Sequence, residues 1–106
     1  MDKRTQPRIR RRVMVRYGTD EPGKTAFTRN LSVGGAQLQT NSPVQPGTRL
    51  VIELKFPDRT FRMTARVAWA LRMPAQLAYV KPGGMGIEFL ERDPDWPEFF
   101  ERWRAG

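Results

Sequence analysis

Hydrophobic and polar residues alternate along most of the chain, which is the pattern of half-buried β-strands. Val13, Val15 and Tyr17 share one face of the first such segment. The alternation returns in residues 25–29, 36–39, 50–56, 61–69 and 85–89. The longest segment places on its predicted buried face Phe61, Met63, Ala65, Val67 and Trp69. Turn-forming residues such as Pro22-Gly23 separate the segments, so six short strands are predicted, the first two as a hairpin.

The period changes near the C-terminus to that of an amphipathic helix, predicted at about 94–104. The spacing i, i+3, i+4, i+7 is occupied by Trp96, Phe99, Phe100 and Trp103. Asp95 and Glu98 are spaced like a capping box, or Asp93 caps the helix with Pro94 in its first turn. The aromatic face is either a partner-binding face or a plug for an open end of the sheet, and the plug is favoured. These patterns predict a small antiparallel barrel with one helix packed on it.

Composition then narrows the function. The 106 residues suffice for one domain, and they contain no Cys and no His. Thiol nucleophiles, zinc sites built on these residues and the usual general base are therefore excluded. The acidic residues do not pair with a candidate base or nucleophile, so we predict no catalytic residues, no metal site and no enzyme. Without an apolar run of about 20 residues or a signal-peptide core, a cytoplasmic protein is expected.

Positive charge is concentrated at the N-terminus. Residues 1–16 hold seven of the 19 basic residues and one acidic residue, out of a net charge of +8. A basic arm on a nearly neutral body indicates an anionic partner, such as a nucleotide, nucleic acid or anionic lipid. The alternative is a solvated basic tail. Residues 1–12 are predicted to be a flexible ligand-binding arm and residues 13–106 the barrel with its helix.

The segment Asn30-Leu31-Ser32-Val33-Gly34-Gly35 is predicted to be a loop between two strands. It is either an ordinary turn or a binding segment, because Asn and Ser hydrogen-bond readily and paired glycines let a ligand approach closely. A purine nucleotide would use both the basic arm and this segment. The arm offers guanidinium groups for phosphates and ring faces, and the segment offers an amide and a hydroxyl for the base edge.

In these residues the chain resembles the PilZ family of cyclic di-GMP receptors. The family shows an Arg-x-x-x-Arg arm followed by Asp/Asn-x-Ser-x-x-Gly, and this chain has Arg4-Thr5-Gln6-Pro7-Arg8 and then the Asn30–Gly35 segment. Residues 67–69 and 84–89 also look like the family's later strands. The resemblance implies a mainly β fold, a six-stranded antiparallel barrel with a C-terminal helix, and a bacterial second-messenger receptor.

The resemblance also implies roles for individual residues. Arg4 and Arg8 would bind phosphates and stack on guanine, Asn30 and Ser32 would hydrogen-bond a guanine base, and Gly34 and Gly35 would let the backbone come close. Lys3 stands where a basic residue in the family often accompanies an intercalated ligand dimer, although Lys lacks the planar fork of Arg. Arg10 is expected to be a further contact. Arg8 and Arg12 also fit Arg-x-x-x-Arg. The earlier pair is preferred, because Pro7 matches the family layout and Arg12 already belongs to the first strand.

Two later positions are additional candidates for the site. Trp69 is one of them, although its phase with Phe61, Met63 and Val67 favours core packing. Gly86 is the other, because a glycine inside a strand often marks a bulge or the close approach of a ligand or another backbone.

The function expected from the whole sequence is a stand-alone receptor without an enzymatic activity. It would bind cyclic di-GMP and pass the signal to an unidentified downstream protein, with a ligand-induced dimer as a further expectation. One alternative is a small basic barrel that binds RNA or DNA non-specifically, although few aromatics are predicted on its outward faces. Another is an interaction module that has lost its ligand.

Overall fold

The computed structural model describes residues 7–78 and 80–106, which form a closed six-stranded antiparallel barrel and a C-terminal helix. The strands follow the order β1-β2-β3-β6-β5-β4 around the barrel. Their bounds are Met14–Gly18 (β1), Lys24–Ser32 (β2), Gly35–Gln39 (β3), Arg49–Phe56 (β4), Arg59–Leu71 (β5) and Gly84–Phe89 (β6), and helix α1 is Trp96–Ala105. The predicted fold class is confirmed.

The barrel interior is built from the alternating hydrophobic positions. Val15 and Tyr17 of β1 are fully buried, as are Leu50, Ile52 and Leu54 of β4. Helix α1 covers one end of this core. Its aromatic face lies inward, with Trp96 and Phe100 fully buried and Phe99 and Trp103 packed against Phe56. The aromatic stripe is therefore the predicted plug.

Two strands are interrupted by bulges that change which way their side chains point. In β5 the register shifts between Val67 and Trp69, so Ala68 is the extra residue. The sequence pattern placed Trp69 on the buried face, and this is wrong. A bulge inverts the two-residue period beyond it, and the Trp69 side chain is 42% exposed.

The second bulge corrects the prediction that Asn30 to Gly35 form a loop. Asn30, Leu31 and Ser32 are the last residues of β2, and only Val33 and Gly34 form the turn into β3. The register shifts between Thr28 and Asn30. As a result Thr28 and Leu31 are both buried, while Asn30 is half-buried on the outer side of the sheet.

The start of α1 also differs from both capping arrangements read from the sequence. Asp95 occupies the N-cap position without a side-chain capping bond, and its carboxylate instead accepts a 3.0 Å hydrogen bond from Arg59. Asp93 Oδ1 accepts from the Asp95 amide at 2.8 Å. The proline in the first turn is Pro97, because Pro94 precedes the helix.

The segment before β1 lies along the barrel. Ile9 pairs with Leu31 through two backbone hydrogen bonds of 2.8 and 2.9 Å. Arg11 reaches the other end of the chain, where its Nη2 donates to the carbonyls of Trp103 and Arg104 at 2.7 and 3.0 Å. No helix within residues 7–78 and 80–106 is long and apolar enough to cross a membrane.

Candidate functional site

An open cleft of about 490 Å³ lies across strands β3, β6 and β5. Residue Arg8, the end of β2 and the segment after β6 complete its walls. It is lined by Arg8, Ser32, Gly34, Gly35, Ala36, Gln37, Ala68, Trp69, Gly86, Ile87, Glu88, Phe89 and Arg92. The cleft therefore gathers residues from four parts of the sequence, including both regions that carry the motifs.

The β2–β3 hairpin forms one wall of the cleft. Ser32 pairs with Gly35 and Asn30 pairs with Gln37 across it. Glycine is required at position 35, since a Cβ there would collide with the backbone carbonyl oxygen of Ile87 on β6. The missing side chain lets β3 and β6 pair closely and makes the backbone of Gly35 part of the cleft wall.

A chain of hydrogen bonds joins the N-terminal segment to this hairpin. Arg8 Nη1 donates to Asn30 Oδ1 at 3.0 Å, and Asn30 Nδ2 donates to Gln37 Oε1 at 2.9 Å. A guanidinium group can only donate, so Arg8 fixes the orientation of the Asn30 amide, with the oxygen toward Arg8 and the nitrogen toward Gln37. Asn30 does not itself line the cleft, but it positions two residues that do.

The Ser32 hydroxyl is held inside the hairpin. Its Oγ donates to the Gly35 carbonyl at 3.2 Å, and the residue is only 2% exposed. A hydroxyl donates one hydrogen bond and accepts up to two. The Ser32 oxygen therefore still has acceptor capacity, while its proton stabilises the turn.

The aromatic wall of the cleft is Trp69, which pairs with Gly86 across β5 and β6. The indole covers Gly86, and a Cβ at that position would overlap its Nε1, Cδ1 and Cε2 atoms. The close approach expected at Gly86 is thus to a side chain of the protein itself. An exposed indole face beside polar hydrogen-bonding groups can stack on a planar ring.

Charged side chains stand at the edges of the cleft. Arg8 and Arg92 are exposed cations, and Glu88 is an anion that pairs with Arg66 at 3.1 Å. Arg92 Nη1 donates to the Val33 carbonyl at 3.2 Å. With Glu88 balanced by Arg66, Arg8 and Arg92 leave the cleft positively charged, which suits an anion.

The other basic residues predicted for the site fall into two groups. Arg10 is exposed and, in the described part of the chain, is not among the residues that line the cleft. Arg12 lies over the Phe27 ring at 4.0 Å, also away from the cleft lining. Lys3 and Arg4 lie outside the described residues.

Three polar or charged residues of the cleft were not predicted from the sequence. Gln37 could have been found, because a two-residue turn at Val33-Gly34 sets it opposite Asn30. Glu88 and Arg92 reach the cleft only through closure of the barrel, for which the sequence gives no local signal. Within residues 7–78 and 80–106, no group of three or more acidic side chains is placed to hold a metal ion.

Comparison with known proteins agrees with this architecture. The family model described as PilZ domain matches residues 2–102. The chain belongs to the PilZ domain family. A comparison with curated proteins finds no significant match.

Two solved structures share the PilZ fold of this chain. The inhibitor of motility of Bacillus subtilis (MotI/DgrA) is 17% identical with a TM-score of 0.78, over 99% of this chain and 50% of that one. The chain thus spans about half the length of that structure. The PilZ domain of YcgR from Escherichia coli, whose structure was determined with c-di-GMP, is 18% identical with a TM-score of 0.70, over 98% of this chain and 90% of that one.

Proposed function

We propose that this PilZ domain is a non-enzymatic cytoplasmic receptor for cyclic di-GMP, which relays ligand binding to a downstream protein. The observation that carries the proposal is the contact between the two motif regions. Arg8 and Asn30, 22 residues apart in sequence, are hydrogen-bonded at the wall of one positively charged cleft. The ligand found with the related YcgR domain has the chemistry that this cleft would accept.

Each part of the ligand has a matching group on this chain. Cyclic di-GMP carries two negative charges and two purines. Arg8, together with Arg4 of the same motif, would contact the phosphates and stack on a guanine, since guanidinium groups form charge-assisted bonds and cation–π contacts. Ser32 and Asn30 would read a guanine edge, and Gly34 and Gly35 would admit the base. Arg10 and Lys3 would add charge at the rim.

Ligand binding by these residues would change the hydrogen bonds that Asn30 makes. The Asn30 oxygen already accepts from Arg8, and its amide nitrogen already donates to Gln37. A carbonyl oxygen can accept a second hydrogen bond. The base edge would therefore share the Asn30 oxygen with Arg8, or replace Arg8 there when that guanidinium turns to a phosphate.

The arm of residues 1–12 would close over the ligand as it binds, with residues 8–11 already held on the barrel by contacts of Arg8, Ile9 and Arg11. Ordering costs roughly 1 to 2 kcal/mol of backbone entropy per residue, and the phosphate and stacking contacts must exceed it. The ordered arm would then present a new surface to the downstream protein or to a second copy of the chain.

A thermal melt with and without cyclic di-GMP tests the proposal. At a ligand concentration about one hundred times the dissociation constant, mass action adds roughly 2.7 kcal/mol of stability. For a domain of this size the melting temperature should rise by about 10 to 20 °C. No rise with cyclic di-GMP, but a rise with single-stranded or duplex nucleic acid, would favour the nucleic-acid-binding alternative.

A further inference from the structure

Arg92 is the second cation of the cleft, and the family motifs do not include it. It follows β6 by three residues and is exposed. Its guanidinium reaches the tip of the β2–β3 hairpin, where it donates to the Val33 carbonyl at 3.2 Å. Arg8 contacts the same hairpin at Asn30. Asn30 and Val33 are three residues apart, so their Cα atoms are separated by at most about 10 Å, and the two cations contact different parts of one hairpin.

The contact that holds Arg92 is easily given up. The Val33 carbonyl also accepts a shorter bond of 2.9 Å from the Trp96 indole nitrogen. If Arg92 turned away, the Val33 oxygen would keep this partner and would not be left unsatisfied. Arg92 is therefore held in place by a bond that the fold does not need.

The acidic neighbours of Arg92 do not neutralise it. Glu91 pairs with Arg49, Asp93 with Arg59, and Glu88 across the cleft with Arg66. Among the described residues, each nearby carboxylate is thus paired with a different arginine. The charge of Arg92 remains directed at the cleft.

We propose that Arg92 binds a phosphate of the ligand at the tip of the β2–β3 hairpin, while Arg8 acts beside Asn30. This inference rests on the proposed function, because it assumes that the cleft takes a cyclic dinucleotide. A dianion with two separated phosphates fits a cleft that is lined by two separate cations. The planar fork of Arg92 would leave the Val33 carbonyl and form charge-assisted bonds with phosphate oxygens.

Isothermal titration of cyclic di-GMP into the unchanged protein and three variants tests this role. Arg92→Gln keeps an amide that can donate to Val33 but removes the charge. Arg92→Lys keeps the charge but removes the fork. Arg102→Ala removes an exposed arginine of α1 that pairs with Glu98 and serves as the control for net charge.

Arg92→Gln should weaken binding about 10- to 100-fold, the worth of a hydrogen bond to a charged group. The affinity of Arg92→Lys should fall between that of Arg92→Gln and that of the unchanged protein. Arg102→Ala should bind within about twofold of the unchanged protein. The loss in the Gln variant should shrink as NaCl rises from about 0.05 to about 0.5 M, because salt screens exposed charges.

Three results would overturn the role of Arg92 alone. The first is that Arg92→Gln binds as tightly as the unchanged protein. The second is that the loss of affinity in Arg92→Gln does not depend on salt. The third is that Arg92→Lys binds no more tightly than Arg92→Gln at low salt. The last two would mean that Arg92 acts by holding the hairpin tip. Failure of the unchanged protein to bind cyclic di-GMP would instead overturn the proposed function, and this inference with it.

Discussion

The indole of Trp69 lies directly over Gly86, its partner across strands β5 and β6. The ring occupies the space that a side chain at position 86 would need. This arrangement depends on the bulge at Ala68, which turns Trp69 out of the core and onto the cleft. The Trp69 indole can therefore take this position only because residue 86 has no side chain and the bulge directs the ring outward.

Gly86→Ala should displace Trp69 while leaving the barrel intact. The new Cβ would meet only side-chain atoms of an indole that is 42% exposed, and the ring can swing outward. Alanine is also favoured over glycine in a strand by roughly 0.5 to 1 kcal/mol. We expect a nearly unchanged melting temperature, a shift in tryptophan fluorescence and weaker binding of cyclic di-GMP.

Gly84→Ala is the matched control, two residues earlier on the same strand. Here the Cβ would meet the backbone carbonyl oxygen of Leu38 at 2.5 Å, and a paired strand cannot move aside. Forced overpacking of this kind costs about 1 to 3 kcal/mol. The melting temperature of Gly84→Ala should fall clearly below that of Gly86→Ala, and equal melts would contradict the explanation.

Arg8 belongs to both overlapping arginine pairs, and Asn30 is its hydrogen-bond partner. Arg8→Ala and Asn30→Ala should each abolish most of the ligand-induced rise in melting temperature. The melt of the free protein should change little, because Arg8 is exposed and Asn30 half-buried on the outer side of the sheet. A collapse of either free variant would show that the residue is structural.

Arg12→Ala should affect stability and not ligand binding, unlike Arg8→Ala and Asn30→Ala. Arg12 lies over the Phe27 ring, so its loss should reduce stability by about 0.5 to 1 kcal/mol and leave ligand binding intact. Arg4→Ala should weaken binding. If Arg12→Ala loses binding while Arg4→Ala does not, the correct pair is Arg8 with Arg12.

Arg11 is expected to stabilise the end of helix α1. Its guanidinium donates to the carbonyls of Trp103 and Arg104 and lies 4.2 Å from the centre of the Trp103 ring. Arg11→Ala should therefore lower the free energy of unfolding by about 1 to 2 kcal/mol. Arg102→Ala, which breaks only an exposed i,i+4 pair, should cost less than about 0.5 kcal/mol. Urea denaturation of both variants measures the difference.

Tyr17 should give the protein an alkaline instability. Its hydroxyl is buried, where it donates to the Ser42 carbonyl at 2.8 Å and lies 2.7 Å from Thr40 Oγ1. Burial raises the pKa of Tyr17 above its ordinary value of 10.0, and the hydrogen bond from Thr40 offsets part of the rise. The folded protein thus keeps a proton that the unfolded chain releases.

The stabilising effect of this phenol is complete below pH 10 and declines as the pH rises toward the raised pKa of the folded protein. Tyr17→Phe should lose roughly 1 to 2 kcal/mol at neutral pH from the missing hydrogen bonds. The difference in unfolding free energy between the two proteins should shrink above about pH 10. A difference that stays constant from neutral to alkaline pH would contradict this assignment.

Most of the architecture could be predicted from the sequence, because alternation and turn residues are local signals. The strands were located to within a few residues, and the i, i+3, i+4, i+7 stripe identified the helix and its buried face. The prediction failed where local pattern does not control geometry. Bulges at Arg29 and Ala68 each add one residue, and so the orientations of Asn30 and Trp69 could not be read from the period.

The residues of the candidate site could be predicted where they are close together in the sequence, and not where the fold brings them together. Ser32, Gly34 and Gly35, which line the cleft, could be named because they match a short motif of the family that the sequence resembles. Arg92 could not, since only pairing of β6 with β3 brings it to the hairpin tip. The same limit applies to helix capping, where Asp95 pairs with Arg59 of β5 instead of bonding within its own helix.

The segment from Arg8 to Arg11 is fixed at both ends and in the middle. Arg8 contacts Asn30, Ile9 pairs with Leu31, and Arg11 closes the last turn of α1. Three residues of extended chain reach only about 10 Å, so the cleft and the end of helix α1 are joined by a short segment that is held at three successive points. The Arg8 guanidinium can turn to a phosphate by side-chain rotation, whereas a shift of the Arg8 backbone toward a ligand would strain the Ile9 pairing or the contact of Arg11 with the helix end.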